Sequence, residues 1–360
     1  MPVATGGRMI QRTPNDPAWY KDALYHDDMR INVPGLWYTS LYDIALAPNL
    51  ELYNLVRKTA KGDAANQQWL IIAPVGHCAF NGSAEQTIVG ERDMGDARLN
   101  YQEIMYGFFD LTLKGTPSAV MESQAKVRYY TIGNNKWNSS DIWPPRGATP
   151  VTYYLASGGG ANTLNGDGIL TLSKPAATAT PDKFTYDPMD PVPTLGGYRV
   201  GSDPQGRGGS FDQRKIEERK DVLVYTTEPF TEGTEVAGPI TPTLYVSADV
   251  KDTDFPSRSS TSTRTAVPAT STNPSSACAT ATATTSPRYG WSATRSTRSR
   301  CSRSSRATTS FPATVCGSKC RAAASRDSSA TSTPAAATTT RARASSRTVP
   351  FTIRPRTRHQ

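Results

Sequence analysis

Asp43 and His77 are the two residues whose types and placement could do chemistry together. Asp43 follows Trp37-Tyr38-Thr39-Ser40-Leu41-Tyr42, and His77 follows Leu70-Ile71-Ile72-Ala73-Pro74-Val75-Gly76. A carboxylate that orients an imidazole, and an imidazole that takes a proton from a nucleophile and returns it to a leaving group, are two members of a nucleophilic triad. In α/β-hydrolases the chain order is nucleophile, acid, histidine, and Asp43 and His77 fit the second and third places. On residue types alone, a turn-capping Asp and an ordinary histidine are the commoner outcome. The nucleophile has no candidate, because no Gly-x-Ser-x-Gly elbow occurs: Gly209-Ser210 lacks the second glycine and Ser157 lacks the first.

The elements around the pair are those of a parallel sheet. Ile31 to Tyr38 reads as a short buried strand, with Ser40 to Asp43 as the turn at its end and a helix over Asn49 to Lys58. Gln68 to Pro74 reads as a second buried strand, ended by Pro74 and followed by the loop Val75-Gly76-His77-Cys78. A helix from Tyr101 to Leu113 comes next. Strand alternating with helix implies crossover connections, and in such sheets functional groups lie just beyond the carboxyl ends of strands. From about Ala125 the texture changes to short strands between Gly, Pro and Asn turns, at Val127 to Ile132, Val151 to Ala156, Val222 to Thr226 and Thr243 to Ala248, which implies an antiparallel β-sandwich. The loops Ser157-Gly158-Gly159-Gly160 and Gly206-Arg207-Gly208-Gly209 do not stand between a strand and a helix, so they read as turns and not as phosphate cradles.

Other polar groups rank lower. His26, beside Asp27 and Asp28, reads as part of a solvated turn. Asp252-Thr253-Asp254 falls short of a calcium cage, so no metal or cofactor is expected. Tyr42, beside Asp43, reads first as a packing residue and second as a contact to substrate. Cys78 is the single cysteine before Pro256, which excludes a disulfide within that part and gives no metal-site spacing.

Composition divides the chain near Phe255. From Pro256 to Gln360 there are 16 Arg and one Lys (Lys319) against one acid, Asp327, while the first 255 residues carry 23 basic and 30 acidic side chains. The overall net charge of +9 therefore describes neither part. A tail of Ser, Thr, Ala, Arg and Pro cannot bury enough surface to offset the entropy of ordering it, so disorder is expected over 256–360. An Arg-rich arm that neutralises nucleic-acid phosphates is one functional reading. A change of reading frame accounts for more of the segment. Back-translated and begun one nucleotide earlier, Thr261 to Pro268 permits Asp-Val-Tyr-Pro-Asp-Gly-Arg-Ala. Ala307 to Cys320 permits Ser-Asn-Tyr-Phe-Leu-Pro-Gly-Asp-Arg-Leu-Arg-Val-Glu-Val, and Pro334 to Thr340 and Ala344 to Thr352 give globular peptides at the same offset. On that reading the basic tail is an artefact of frame, and no nucleic-acid partner is expected. No run of about 18 apolar residues is present in residues 1–255, so no membrane span is expected. Met1 to Gly7 has no basic start leading into an apolar core, and the compartment stays open.

The segments ending in Asp43 and His77 resemble the acid and histidine motifs of the X-Pro dipeptidyl-peptidase and cocaine esterase family of serine hydrolases, which also includes α-amino-acid ester hydrolases. Further likenesses are Phe108-Phe109-Asp110, Val127-Arg128-Tyr129-Tyr130-Thr131-Ile132-Gly133, Trp143-Pro144-Pro145 and Leu223-Val224-Tyr225-Thr226-Thr227-Glu228-Pro229, within a span of roughly Pro14 to Phe255. Leu41 and Val75 stand where the family often places Trp. The resemblance implies the end of a cap region over 1–30 and the C-terminal part of an α/β-hydrolase domain over 31–120. It further implies the N-terminal part of a jelly-roll, galactose-binding-like sandwich over 121–255, ahead of the tail at 256–360. It also implies a small ester or peptide substrate, Asp43 as the orienting acid and His77 as the general base. The family's nucleophile and oxyanion-hole tyrosine precede the acid, upstream of Met1, so this chain alone is expected not to turn over substrate. A non-catalytic sandwich that binds a carbohydrate or a protein partner is the alternative.

Overall fold

The computed structural model describes residues 12, 16–21, 25, 28–198, 208–249, 253 and 255–261, together with the backbone of five strands between 305 and 354. His26, Asp252 and Asp254, most of 1–30 and Gly206 and Arg207 lie outside the described residues. After a short helix α1 (Pro17–Lys21), a first sheet is built from β1 (Gly35–Tyr42), β2 (Gln68–Gly76), β5 (Val127–Thr131) and β6 (Lys136–Ser140), in that order across the sheet. The β1–β2 and β2–β5 pairs are parallel and the β5–β6 pair antiparallel. Every residue of β2 except Gly76 is buried, which is the pattern of a strand covered on both faces.

Two helices supply the covers. Helix α2 (Leu46–Thr59) buries Leu46, Leu50, Tyr53 and Val56, a spacing that lines one side of a helix. That side packs on the face carrying Tyr42, Leu70, Ile72 and Tyr129. Helix α3 (Tyr101–Leu113) covers the opposite face, where Tyr101, Ile104 and Phe108 meet Trp69, Ile71 and Ala73. It begins where Asn100 accepts from the Glu103 amide at 3.1 Å and donates to the Glu103 carboxylate at 2.8 Å, which satisfies a helix-start donor. A one-turn helix α4 (Ala119–Glu122) follows, and a small hairpin, β3 (Ile88–Val89) with β4 (Arg92–Asp93), lies between β2 and α3.

The sequence placed Val127 to Ile132 in the sandwich, whereas β5 and β6 complete the first sheet. A short alternating strand carries no information about which sheet accepts it, and Leu70, Ile71 and Ile72 of β2 pair with Val127, Arg128 and Tyr129. The first strand also runs later than expected, through Tyr42. Strand β2 passes through Pro74, which lacks an amide donor. Pro74 falls in a register shift, since Ser40 pairs with Ala73 but Tyr42 pairs with Gly76, leaving one extra residue on β2.

The rest of the chain forms two further sheets. One contains β7 (Thr149–Ala156), β8 (Ile169–Thr171), β10 (Val222–Thr226), β11 (Glu235–Ile240) and β13 (Ser257–Ser260); the other contains β9 (Asp182–Tyr186) and β12 (Thr243–Ala248). The one-turn α5 (Arg214–Glu217) precedes β10. Tyr153, Leu155, Leu223 and Val236 from the first of these sheets share one buried cluster with Phe184, Tyr186, Leu244 and Val246 from the second, which makes a two-layer β-sandwich.

The expectation of a disordered tail does not hold for the strands described there. β14 (Ser305–Thr308), β15 (Phe311–Val315), β16 (Lys319–Ala323), β17 (Thr340–Ser345) and β18 (Val349–Arg354) are paired into the sandwich. Main-chain ladders do not depend on side-chain type, and β7, β10, β11 and β12 present backbone donors and acceptors that need partners. Among the described residues, no helix is long and apolar enough to cross a membrane.

Among the described residues, the sandwich meets the first sheet and its hairpin at several places, among them Ser210 and Glu235, and β15 also touches α2 and β5. The Ser210 amide donates to the Val89 carbonyl at 3.2 Å and the Ser210 carbonyl accepts from the Glu91 amide at 2.7 Å. Glu235 of β11 accepts from the Tyr129 hydroxyl at 3.2 Å.

Candidate active site

Parallel pairing sets the site. With Tyr42 opposite Gly76, the next residues of the two strands, Asp43 and His77, emerge side by side at the carboxyl edge of the sheet. The Ser40 hydroxyl donates to the Gly76 carbonyl at 3.0 Å and ties the two strand ends together just before they diverge. Asp43 is the residue at which β1 gives way to α2. Its Oδ1 accepts from the Ala45 amide at 2.8 Å, and its carbonyl accepts from the Leu46 amide at 3.2 Å.

That leaves Oδ2 free to face the ring, and His77 Nδ1 lies 3.1 Å from it. The Asp43 side chain is only 8% exposed while that of His77 is 37% exposed. A nearly buried carboxylate is thus held by the turn on one oxygen and meets the imidazole with the other. Asp43 offers an acceptor to Nδ1, so a neutral imidazole held here carries its proton on Nδ1 and presents Nε2 as the acceptor. The arrangement is able to orient a base and to stabilise its protonated form.

The face of His77 away from Asp43 holds a residue that the sequence pattern did not single out for chemistry. Cys78 Sγ lies 3.5 Å from His77 Nε2, and Cys78 is exposed. Its φ of +55° lies in the left-handed region, where a non-glycine residue is uncommon. The only signal in the sequence was adjacency to His77, and adjacency alone does not say which ring nitrogen a side chain will face.

Tyr42 takes the first of its two readings, as a packing residue, and not the second, as a contact to substrate. It is wholly buried in the cluster beneath α2, and its hydroxyl faces Ser210 and Arg92. Burial pushes its phenol up to about 12. Side chains alternate across a strand, and Tyr42 points into the core.

The loop carrying His77 and Cys78 continues through Phe80 and Asn81 into the wall of a cavity of about 490 Å³, also lined by Ser83, Arg98, Leu99 and Tyr101. The enclosed hydroxyls of Ser83 and Tyr101 face each other there without a well-formed hydrogen bond, and burial pushes the Tyr101 phenol up to about 12. Arg98 is held by Asp96, with its Nε 2.8 Å from Oδ1. Among the described residues, no group of three or more His, Cys, Asp or Glu side chains could hold a metal ion.

Known proteins share this organisation. Residues 118–257 match the X-Pro dipeptidyl-peptidase C-terminal non-catalytic domain. The chain is 31% identical over 254 residues to the cocaine esterase of Rhodococcus sp. (strain MB1 Bresler), a match covering 70% of this chain and 42% of the esterase. It is 29% identical over 150 residues to a putative serine esterase of Mycobacterium bovis, covering 41% of this chain and 22% of that protein. The chain therefore spans less than half the length of these curated relatives. An α-amino-acid ester hydrolase structure superposes with a TM-score of 0.68 at 20% identity, covering 91% of this chain and 56% of that one. An aminopeptidase from a marine sediment Thaumarchaeota archaeon superposes at 0.66 and 21%, with the same coverage. The match of residues 118–257 to that domain and the 31% identity to the cocaine esterase agree, and the chain belongs to the X-Pro dipeptidyl-peptidase and cocaine esterase family.

Proposed function

We propose that Asp43 and His77 are the orienting acid and general base of a serine-hydrolase site that cleaves an ester or amide through an acyl-enzyme. The observation that carries this is the 3.1 Å Asp43–His77 contact at the ends of two adjacent parallel strands. The relatives named as esterases and the neighbour named as an ester hydrolase support the same class. A serine is needed on His77 Nε2, and no Gly-x-Ser-x-Gly occurs in these 360 residues. The nucleophile then comes from a segment not included in this sequence, and the chain by itself sustains no turnover. The test is to join this chain to the coding sequence upstream of it and assay an activated ester and an X-Pro anilide. Turnover that is lost in His77→Ala and strongly reduced in Asp43→Ala is expected. Turnover by the joined protein that survives His77→Ala overturns the assignment.

We also infer that the residues after Phe255 are translated out of frame. The family match ends at residue 257, where the charge changes. Strand β13 puts Ser259, Ser260 and Thr261 into buried positions, and the partly enclosed Arg258 donates to Gln213 Oε1 with burial pushing its guanidinium down to about 10. Those are poor choices for a sandwich interior. The shifted windows over 307–320 and 344–352 overlap β14 to β18. Nucleotide sequence across codons 250–260 decides the point: a one-base insertion or deletion is expected, and tail codons incompatible with the shifted reading sink it.

A further inference from the structure

We propose that Cys78 is an acyl-accepting thiol, the third member of an Asp43–His77–Cys78 array that takes one acyl group from an activated aryl ester. The proposal rests on the reading of Asp43 and His77 as acid and base, and it adds a nucleophile within this chain. Three facts meet at the site. Asp43 Oδ2 faces His77 Nδ1 at 3.1 Å, Cys78 Sγ faces Nε2 at 3.5 Å, and the thiol is exposed to solvent. Carboxylate, imidazole and sulfur are therefore in the order that removes a proton from a nucleophile. The same loop leads into the cavity walled by Phe80, Leu99 and Tyr101, whose Ser83 and Tyr101 hydroxyls lack well-formed hydrogen bonds. This open recess of mixed polarity, lined by Asn81, Arg98, Asn100 and Gln102 as well as by Phe80 and Tyr101, is the surface nearest along the chain for the aryl part of the ester.

The step balances without a co-reactant. The thiol proton passes to His77 Nε2 as sulfur attacks the ester carbonyl, and an S–C bond forms. The C–O bond to the aryl group then breaks, the aryloxide leaves with the bonding pair, and the imidazolium returns its proton to the aryloxide or to water. The product is a thioester on Cys78, with no change of oxidation state. Because the acyl group then sits beside Nε2, it also blocks the nitrogen that a serine would use, so acylation is a covalent brake on the hydrolase site.

The test uses the full chain and p-nitrophenyl acetate at neutral pH. Release of p-nitrophenol is followed together with peptide-resolved mass spectrometry, and Cys278, Cys301, Cys316 and Cys320 serve as internal reference thiols. The expected result is a burst of about one p-nitrophenol per chain, with acetyl on Cys78. Its rate falls at least about tenfold in His77→Gln, as expected for loss of a positioned general base, and the acetylated peptide disappears in Cys78→Ser. Circular dichroism and the unfolding midpoint of each variant establish that it is folded. Acetylation of Cys78 at the rate of the reference thiols, a rate unchanged in His77→Gln, or acetyl carried by His77 overturns the proposal. None of these outcomes touches the roles of Asp43 and His77 in the joined protein, because that assay is repeated in the Cys78→Ser background, where His77-dependent turnover stands or falls by itself.

Discussion

Replacing Asp182 by alanine asks how much of the sandwich is held together by one buried carboxylate. Asp182 is 1% exposed. Its Oδ1 accepts from the Ala161 amide at 3.0 Å, its Oδ2 accepts from the Tyr225 hydroxyl at 2.7 Å, and the Ser157 hydroxyl reaches both oxygens at 2.7 Å. The group joins β9, β10 and the glycine loop after β7. Removing it leaves two enclosed donors, the Ala161 amide and the Tyr225 hydroxyl, while the half-buried Ser157 is able to turn to water. An orphaned buried donor costs about 1–3 kcal/mol, so about 2–6 kcal/mol is lost. Some of this is offset because a carboxylate no longer has to be desolvated, and a net loss of about 2–4 kcal/mol is expected. Tyr225→Phe leaves Asp182 with its other partners and should cost about 1–2 kcal/mol. In the double variant the tyrosine donor is no longer orphaned, so the two losses should fall short of additivity by about 1 kcal/mol or more. Urea unfolding followed by circular dichroism measures all three. A loss in Asp182→Ala under about 1 kcal/mol, or additivity within about 0.5 kcal/mol, refutes the account.

Gly90 sits at φ +70°, and a Cβ there would lie 2.3 Å from the Ser210 carbonyl oxygen. Gly90→Ala should lower stability by more than about 2 kcal/mol, combining left-handed strain with loss of the contact to the sandwich; an unfolding midpoint within error of the wild type contradicts this. Tyr42→Phe should leave stability within about 1 kcal/mol, since its enclosed hydroxyl makes no well-formed hydrogen bond; urea unfolding checks it. Tyr38, Tyr42, Tyr101 and Tyr130 have phenols raised to about 12, chiefly by burial. Their neutral forms favour the folded state, so their contribution is intact below about pH 10 and is lost as pH rises through about 12. Ultraviolet titration should show an early phase from exposed tyrosines and a late one that coincides with unfolding, and a single phase near pH 10 rules this out.

Sequence pattern recovered the helix at 101–113 and the approximate positions of β1 and β2 because each has a periodic or continuous apolar signal with a cap or turn at its end. Asp43 and His77 were legible for the same reason, since a polar residue directly after a buried parallel strand has few places to go. The features that sequence left unread depend on pairing and on single torsions. Pro74 looked like a stop because a proline cannot donate to a ladder, yet the one-residue slip between Ser40 and Tyr42 gives it a place without a donor. Strands β5 and β6 looked like sandwich strands because their alternation is the same in either sheet. The thiol on Nε2 depends on one left-handed φ at Cys78, which no spacing encodes. Asp182 gave no signal, because its donors come from residues 157, 161 and 225, far apart in the chain.

The position of the compositional break explains why it leaves the candidate site intact. All four strands of the first sheet, both covering helices, and Asp43, His77 and Cys78 lie before residue 141. The hairpin that contacts Ser210 and the Glu235 carboxylate that meets Tyr129 also precede Phe255. The sandwich depends on residues after Phe255 throughout, since β16, β17 and β18 lie inside its two sheets and β15, beside β11, touches α2 and β5. The ladders of those strands are satisfied by any backbone that takes the extended form, but the stability of a two-layer sandwich comes from apolar side chains between the layers. With Ser259, Ser260 and Thr261 buried in and just after β13, backbone pairing and side-chain burial come apart in the sandwich, whereas the first sheet that carries the Asp43–His77 pair is built wholly from residues before Phe255. Restoring the frame should therefore raise the stability of the sandwich while leaving the rate of Cys78 acylation unchanged. A parallel change in both would mean that the contacts of Ser210, Glu235 and β15 with the first sheet and its covering helix couple the two parts of the protein.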